Sequence, residues 1–444
     1  MVTDKLKMRR FVFTWVAGLI NRVMNHQVRC TGVLIVFLSL QWCVPPDLSA
    51  VVFERRPKPP STLSWFLYPI AGSIPGVQSF AGVGGTISGV GDSEMDISLI
   101  TLGGKADKFD TGDFKINLLS LLDVPLVEDL LSFSYFKTDI TNGAWPEGER
   151  GMSSDPDQTY YLLASKVGAD GGEVTLHFLD YQIEMYLGYV GGSVTPYGLV
   201  APDGTKYSAE ESGIIKQPNG ARRGFYWDDT DSRRDPRLGY RVQWDEWDIP
   251  ASRSENAAFT QTDKSVTLFI PVFEDRSLVM ILNQFESSAK VTTAGTVNKS
   301  RYTCGEAAPD GCQSVIDSLY ERQSQNATQG KATSLGGTAR LRGYRTNRFY
   351  DTHSAFRGAE LRWYVMETSD PFNFIVEKGL FSGIQAAVFY EEGTVAATRQ
   401  ELWGEKKNSY GVGARFLFGS VIFRTDVGIS EESTETTVYV GYPF

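Results

Sequence analysis

The sequence predicts an all-β chain that closes into a 16-stranded antiparallel transmembrane barrel. Three observations carry this. From about Val77 onward the chain is a succession of short alternating runs punctuated by Gly, Asp, Asn and Pro, with no amphipathic helix of ordinary length. Where the alternation is clearest, charge collects on one face and an unbroken apolar row on the other. The stretch from Val77 to Phe444 is 368 residues, which at about 23 residues per strand and connection gives 16 strands.

The N-terminal segment reads as a signal peptide over residues 1–50. The apolar run "TGVLIVFLSLQWCVPP" (31–46) follows Arg29, carries no charge, and leads into a small-residue end at Ala50. Met24 is a candidate start, and an uncleaved N-terminal anchor helix is the alternative reading. Cleavage after Ala50 removes six of 43 basic residues and two of 53 acidic ones, so the mature charge is 37 minus 51, or −14. That balance argues against nucleic-acid binding. Cys304 and Cys312 stay in the mature chain, close together in a polar loop, and are expected to form a local disulfide in an oxidising compartment.

Residues 51–76 are proline-punctuated without a clear period, and are expected to be an extended periplasmic lead-in to a barrel over 77–444. Mean hydropathy is −0.20, and no apolar run after residue 50 is long enough for a spanning helix. Any membrane crossing beyond that point uses strands.

The faces sort cleanly near the C-terminus. Over 410–418, Tyr410, Val412, Ala414, Phe416 and Phe418 oppose Gly411, Gly413, Arg415 and Leu417. Over 421–429, Val421, Phe423, Thr425, Val427 and Ile429 oppose Ile422, Arg424, Asp426 and Gly428. Over 359–365, Ala359, Leu361, Trp363 and Val365 oppose Glu360, Arg362 and Tyr364. A charge facing lipid at the midplane costs about 2–4 kcal/mol, whereas one facing the lumen does not. A soluble sandwich also alternates, but its apolar face packs a core and is not bordered by Tyr and Trp in this way. The last strand is expected to put Val438, Val440, Tyr442 and Phe444 on one face, ending on an aromatic signal.

Four arginines crowd into "RLRGYRTNR" (340–348), in an acidic chain. The stretch "LRGY", Leu341 to Tyr344, with "RTNRFYDTHSAFRGAELRWYV" after it, resembles the Val-Arg-Gly-Phe/Tyr loop of the BamA and TamA superfamily of outer-membrane barrels, also called the bacterial surface antigen family. "FYEEG" (389–393) resembles that family's Phe-x-Asp-x-Gly strand, "DDTDSRRDPRLGYRV" (228–242) its Asp-Thr-Arg-Asp segment, and "YPIAGSIPGVQSFAGVGG" (68–85) the start of its barrel. The resemblance covers most of the mature chain and is strongest from 221 onward. It departs at Leu341 for Val, Glu391 for Asp, and Pro443 beside the terminal Phe. It implies that the long sixth extracellular loop folds into the lumen and that Arg342 pairs with Glu391 on the thirteenth strand. Gly343 would give the tight path and Tyr344 would pack on the inner wall. Periodicity alone puts Phe389, Glu391 and Gly393 on one face, opposite Val388 and Tyr390.

The resemblance implies a bacterial outer-membrane location, contact with lipids including lipopolysaccharide, and passage through the outer-membrane assembly machinery. Family members that insert or secrete proteins carry periplasmic POTRA domains, for which 51–76 leaves no room. The expected role is a non-enzymatic membrane subunit for protein or lipid translocation or assembly, or an anchor for periplasmic or surface partners. A passive pore is the alternative, and Arg345 or Arg348 could meet lipopolysaccharide phosphates. Enzymatic readings are weak: only His177 and His353 remain after the signal, no Gly-x-Ser-x-Gly elbow is present, and no metal or cofactor is expected. Asp351 and His353 are the best hydrolase candidates. Asn298 and Asn326 lie in chance-level glycosylation sequons.

Overall fold

The computed structural model describes residues 63–444 apart from short stretches, the longest being 106–112, 209–214, 252–255, 305–311 and 368–371. The expected signal peptide lies outside the described residues. The barrel strands are β1 (Ser64–Ile74), β2 (Gln78–Ser88), β3 (Asp96–Lys105), β4 (Asp113–Val127), β5 (Leu131–Glu147), β6 (Tyr160–Phe178), β7 (Ile183–Val200) and β8 (Ile215–Thr230). They continue as β9 (Gly239–Ile249), β10 (Ala258–Pro271), β11 (Leu278–Thr293), β12 (His353–Glu367), β13 (Ser382–Ala396), β14 (Lys407–Phe418), β15 (Val421–Ile429) and β16 (Thr434–Val440). This is the expected number, sixteen, and each strand pairs antiparallel with the next from β1 to β16. The barrel is nearly closed: β1 and β16 lie side by side, with no register between them among the described residues. β16 is the shortest barrel strand, with seven residues.

The start of the barrel and the helix content depart from expectation. The barrel begins at Ser64, so much of the stretch read as a lead-in over 51–76 is β1. The prolines around it and Pro69 within it mask the strand, yet Pro69 is tolerated opposite Val83 because β1 has a ladder on one side only among the described residues. There is also a helix of ordinary length, α1 (Cys312–Gln329), in the loop between β11 and β12. Its residues, "CQSVIDSLYERQSQNATQ", carry an apolar row only in the first two turns (Val315, Ile316, Leu319 and Tyr320), too short a signal to set it apart from the β-type texture around it. Cys312 and Ala327 are buried among its described residues, and the Ala327 main-chain oxygen accepts from Gly295 N (2.7 Å).

The faces divide as the alternation predicts. Trp363, Val365, Tyr410 and Val412 are each more than half exposed on the outside, whereas Glu360, Arg362, Arg415, Arg424 and Asp426 are at most 1% exposed inside. Large apolar side chains outside and ion pairs inside invert a soluble protein, and suit a wall between lipid and a filled lumen. The last strand departs from expectation. β16 stops at Val440, Gly441 takes φ +99°, and the tail turns into the lumen, so Tyr442 and Phe444 do not continue an outward face. The left-handed turn at Gly441 breaks the alternation that the expectation relied on.

Candidate functional site: a loop seated in the barrel

The loop from 294 to 352 begins with a disulfide, Cys304 to Cys312, at the start of α1. Beyond α1 the chain re-enters the barrel as a narrow hairpin. Leu335 and Phe349 bond to each other's main chain in both directions (2.8 and 3.0 Å), and Tyr344 N donates to Leu341 O (3.0 Å) to tighten the tip. Leu341 sits in the left-handed region at φ +55°, and the surrounding contacts hold it there. Leu335, Leu341, Tyr344 and Phe349 form a buried cluster with Met152 of the β5–β6 loop and with Phe285, Phe356 and Val395 of the wall. The tip therefore carries a small apolar core of its own into an otherwise polar lumen. That burial contributes stability in proportion to its area.

Arg342 sits beyond this core. Its main-chain N–H donates to Glu391 Oε2 (2.8 Å) and its Nε to Glu391 Oε1 (2.7 Å). Nη1 donates to Glu360 Oε2 (2.9 Å) and to Asp426 Oδ2 (2.8 Å). The guanidinium lies 3.5 Å from the centroid of the Phe389 ring. Burial opposes its charge, but Glu391, Glu360 and Asp426 outweigh burial and hold the guanidinium above its ordinary pKa. The two-pronged grip on Glu391 thus uses one guanidinium nitrogen and one main-chain nitrogen. The freed Nη1 reaches two further strands.

The glycines explain how the backbone comes so close. A Cβ on Gly343 would stand 2.7 Å from the carbonyl carbon of Ile429 and 2.8 Å from Ser430 N. A Cβ on Gly428 would stand 2.4 Å from Arg342 O. The loop lies directly on the end of β15, which only two facing glycines permit. Ser430 Oγ (2.7 Å) and Ser433 Oγ (3.0 Å) donate to Gly343 O. Gly393 faces the ends of Leu335 and Leu341, and Tyr344 donates to Asn408 O (3.2 Å).

The sequence reading missed Glu360 and Asp426 as partners of Arg342, although both had been sorted to the charged face. Arg348 also differs from expectation. It is buried, bonded to Glu432 (2.7 and 2.8 Å) and Ser154, and so is unavailable to a surface phosphate. Arg340 stacks 3.6 Å from the Phe285 ring. Asp351 accepts from Arg150 (3.1 Å) and Thr352 N (2.8 Å), while His353 Nδ1 is buried without a hydrogen-bond partner among the described residues. These two do not form an acid–base dyad.

Away from the loop, two more polar knots join elements of the barrel. Tyr442 donates to Asp235 Oδ1 (2.8 Å), and Gln385 Nε2 donates to Tyr442 (2.8 Å); Phe444 packs on Phe356 (6.3 Å between centroids). Arg237 joins the knot through Asp235 (3.0 Å) and Glu367 (2.6 Å), and stacks 3.4 Å from the Tyr364 centroid. This knot gathers the segment "DDTDSRRDPRLGYRV", whose Asp231 accepts from Arg237 N (2.8 Å) and Leu238 N (3.0 Å) to shape the β8–β9 turn. In the second knot, Ser132 Oγ lies 2.8 Å from His177 Nε2, and His177 Nδ1 lies 3.1 Å from Glu184 Oε1. The order is that of a hydrolytic triad. Ser132 Oγ, however, also donates to Asp123 Oδ1 (3.4 Å), a negative charge where an oxyanion would need donors. The chain Ser132–His177–Glu184–Arg233 instead ties the β4–β5 and β6–β7 hairpins and the β8–β9 turn together.

No family model and no curated protein matches this chain. Among solved structures, it is similar to CdiB from Escherichia coli, with a TM-score of 0.50 at 10% identity over 87% of this chain. CdiB from Acinetobacter baumannii matches over 85% of this chain and 59% of its own length (TM-score 0.46, 10% identity). BamA from Haemophilus ducreyi lacking POTRA domains 1–3 matches over 86% of this chain and 70% of its own length (TM-score 0.46, 12% identity). The chain spans 63% of the length of the Escherichia coli CdiB structure. At these identities the likeness concerns fold: this chain is a sixteen-stranded antiparallel barrel of the type seen in CdiB.

Proposed function

We propose that this chain belongs to the BamA and TamA superfamily and works in a bacterial outer membrane as a non-enzymatic subunit. It serves protein or lipid translocation or assembly, or anchors partner proteins that supply the periplasmic or surface parts. The observation that carries this reading is the seated loop. Arg342, fully buried, bonds to Glu391, Glu360 and Asp426 on three different strands of the wall. A wall that invests a buried cation in holding a loop across its lumen is poorly suited to be an open diffusion pore. The same chemistry suits a barrel whose interior stays shut while its rim and surfaces engage other molecules.

Lipids, lipopolysaccharide among them, contact the outer wall, and the outer-membrane assembly machinery handles the chain during biogenesis. Affinity purification of the full chain in mild detergent, followed by mass spectrometry, tests the role. Stoichiometric periplasmic or surface proteins are expected to co-purify. Recovery of the barrel alone, together with large steady conductance, would instead establish the passive pore.

A further inference from the structure

Four arginine side chains, Arg342, Arg362, Arg415 and Arg424, are buried to within 1% inside the barrel. Three carboxylates meet them. Glu360 pairs with Arg342 (2.9 Å), Arg362 (2.7 Å) and Arg415 (3.1 Å). Asp426 pairs with Arg342 (2.8 Å), Arg415 (2.5 Å) and Arg424 (3.5 Å), and Glu391 pairs with Arg342 alone (2.7 Å). Four cations against three anions leave the cluster one positive charge in excess.

The sharing also leaves donors over. Arg342 Nη2, Arg362 Nη1 and Nη2, Arg415 Nε, and Arg424 Nε and Nη1 have no hydrogen-bond partner among the described residues. Nearby acceptors are committed elsewhere. Arg424 Nη2 already takes Thr338 O (2.7 Å), and the Tyr442 ring offers Arg362 a face at 3.7 Å while its hydroxyl is bonded to Asp235 and Gln385. Buried guanidinium donors without acceptors are costly, and a buried surplus charge more so. Water answers the first deficit only. A small anion answers both.

We propose that the interior of this barrel binds one small monovalent anion, of halide size, among the spare donors of the arginine cluster. The excess of one charge sets the valence, and the full burial of all four side chains sets the size. The anion acts as an internal counter-ion between β12, β14, β15 and the seated loop, an addition to the loop's grip on Glu391 that does not depend on what the barrel transports.

The test uses the full chain purified in detergent at constant ionic strength. Near-ultraviolet circular dichroism follows melting as sodium gluconate is exchanged for sodium chloride or bromide, and crystals grown in bromide are measured at the bromine edge. Melting is expected to rise saturably with halide, as ligand binding to the folded state requires. An anomalous peak is expected beside the guanidinium groups of Arg362, Arg415 and Arg424. In Arg362→Gln, which removes the surplus charge, the halide dependence should disappear. If that variant does not fold, the wild-type bromide map still decides. Absence of the peak, or identical melting in gluconate and halide, would show that water alone fills the cluster and would overturn the proposal.

Discussion

Replacing Arg342 by Ala should unseat the loop, and the contacts show which charge is left alone. Glu360 would keep Arg362 and Arg415, and Asp426 would keep Arg415 and Arg424. Among the described residues Glu391 would keep the main-chain N–H of residue 342 (2.8 Å) and Ser409 Oγ (3.2 Å), with no cation in ion-pair contact. Stranding one member of a buried pair costs about 3–5 kcal/mol. The lost face contact with Phe389 adds up to about 2 kcal/mol more. Even about 4 kcal/mol shifts a docking equilibrium roughly a thousandfold. Limited proteolysis across 330–350 and heat-modifiable gel mobility are the assays. The wild type is expected to resist cleavage there, the Ala variant to be cut rapidly, and Arg342→Lys to lie between, because one ammonium cannot reach three carboxylates on the same geometry. Adding Glu391→Gln to Arg342→Ala should recover part of the loss by removing the stranded charge. Protection of the loop equal to wild type in Arg342→Ala would show that Arg342 does not hold the loop in place.

Gly343→Ala should act like a milder Arg342→Ala, since its methyl would strike the backbone of Ile429 and Ser430, which cannot rotate away; protease sensitivity of the loop reads it. Tyr442→Phe removes the hydroxyl that joins Asp235 to Gln385, and should cost about 1–2 kcal/mol, read as a lower melting temperature with the barrel otherwise intact. Arg348→Ala should destabilise the loop through Glu432 while leaving lipopolysaccharide binding unchanged in a vesicle flotation assay. His177→Ala should lower thermal stability by loosening the hairpins it ties to Ser132 and Glu184, without removing any esterase activity.

Much of this was legible because a barrel wall writes itself in a period of two. The arginine and carboxylate rows of β12, β14 and β15 alternate with apolar residues, so their inward direction follows from sequence alone. What alternation cannot supply is which strand lies across the lumen from which. Glu360 and Asp426 were on the right face, but only closure of the barrel brings β12 and β15 to the same guanidinium. The tail departs from its periodicity for a related reason. Val438, Val440, Tyr442 and Phe444 keep a perfect period of two, and one left-handed residue, Gly441, voids it. β1 is hidden by the prolines that flank it and by Pro69, which a seam strand tolerates, and α1 by an apolar row confined to its first two turns.

A loop seated across the lumen should block ion flow through the barrel. Single-channel recording in planar bilayers, comparing the full chain with a variant lacking residues 335–350, tests it most directly. Low, flickering conductance is expected for the wild type, with a large increase on deletion. A wild type with large, steady conductance that the deletion leaves unchanged would contradict it.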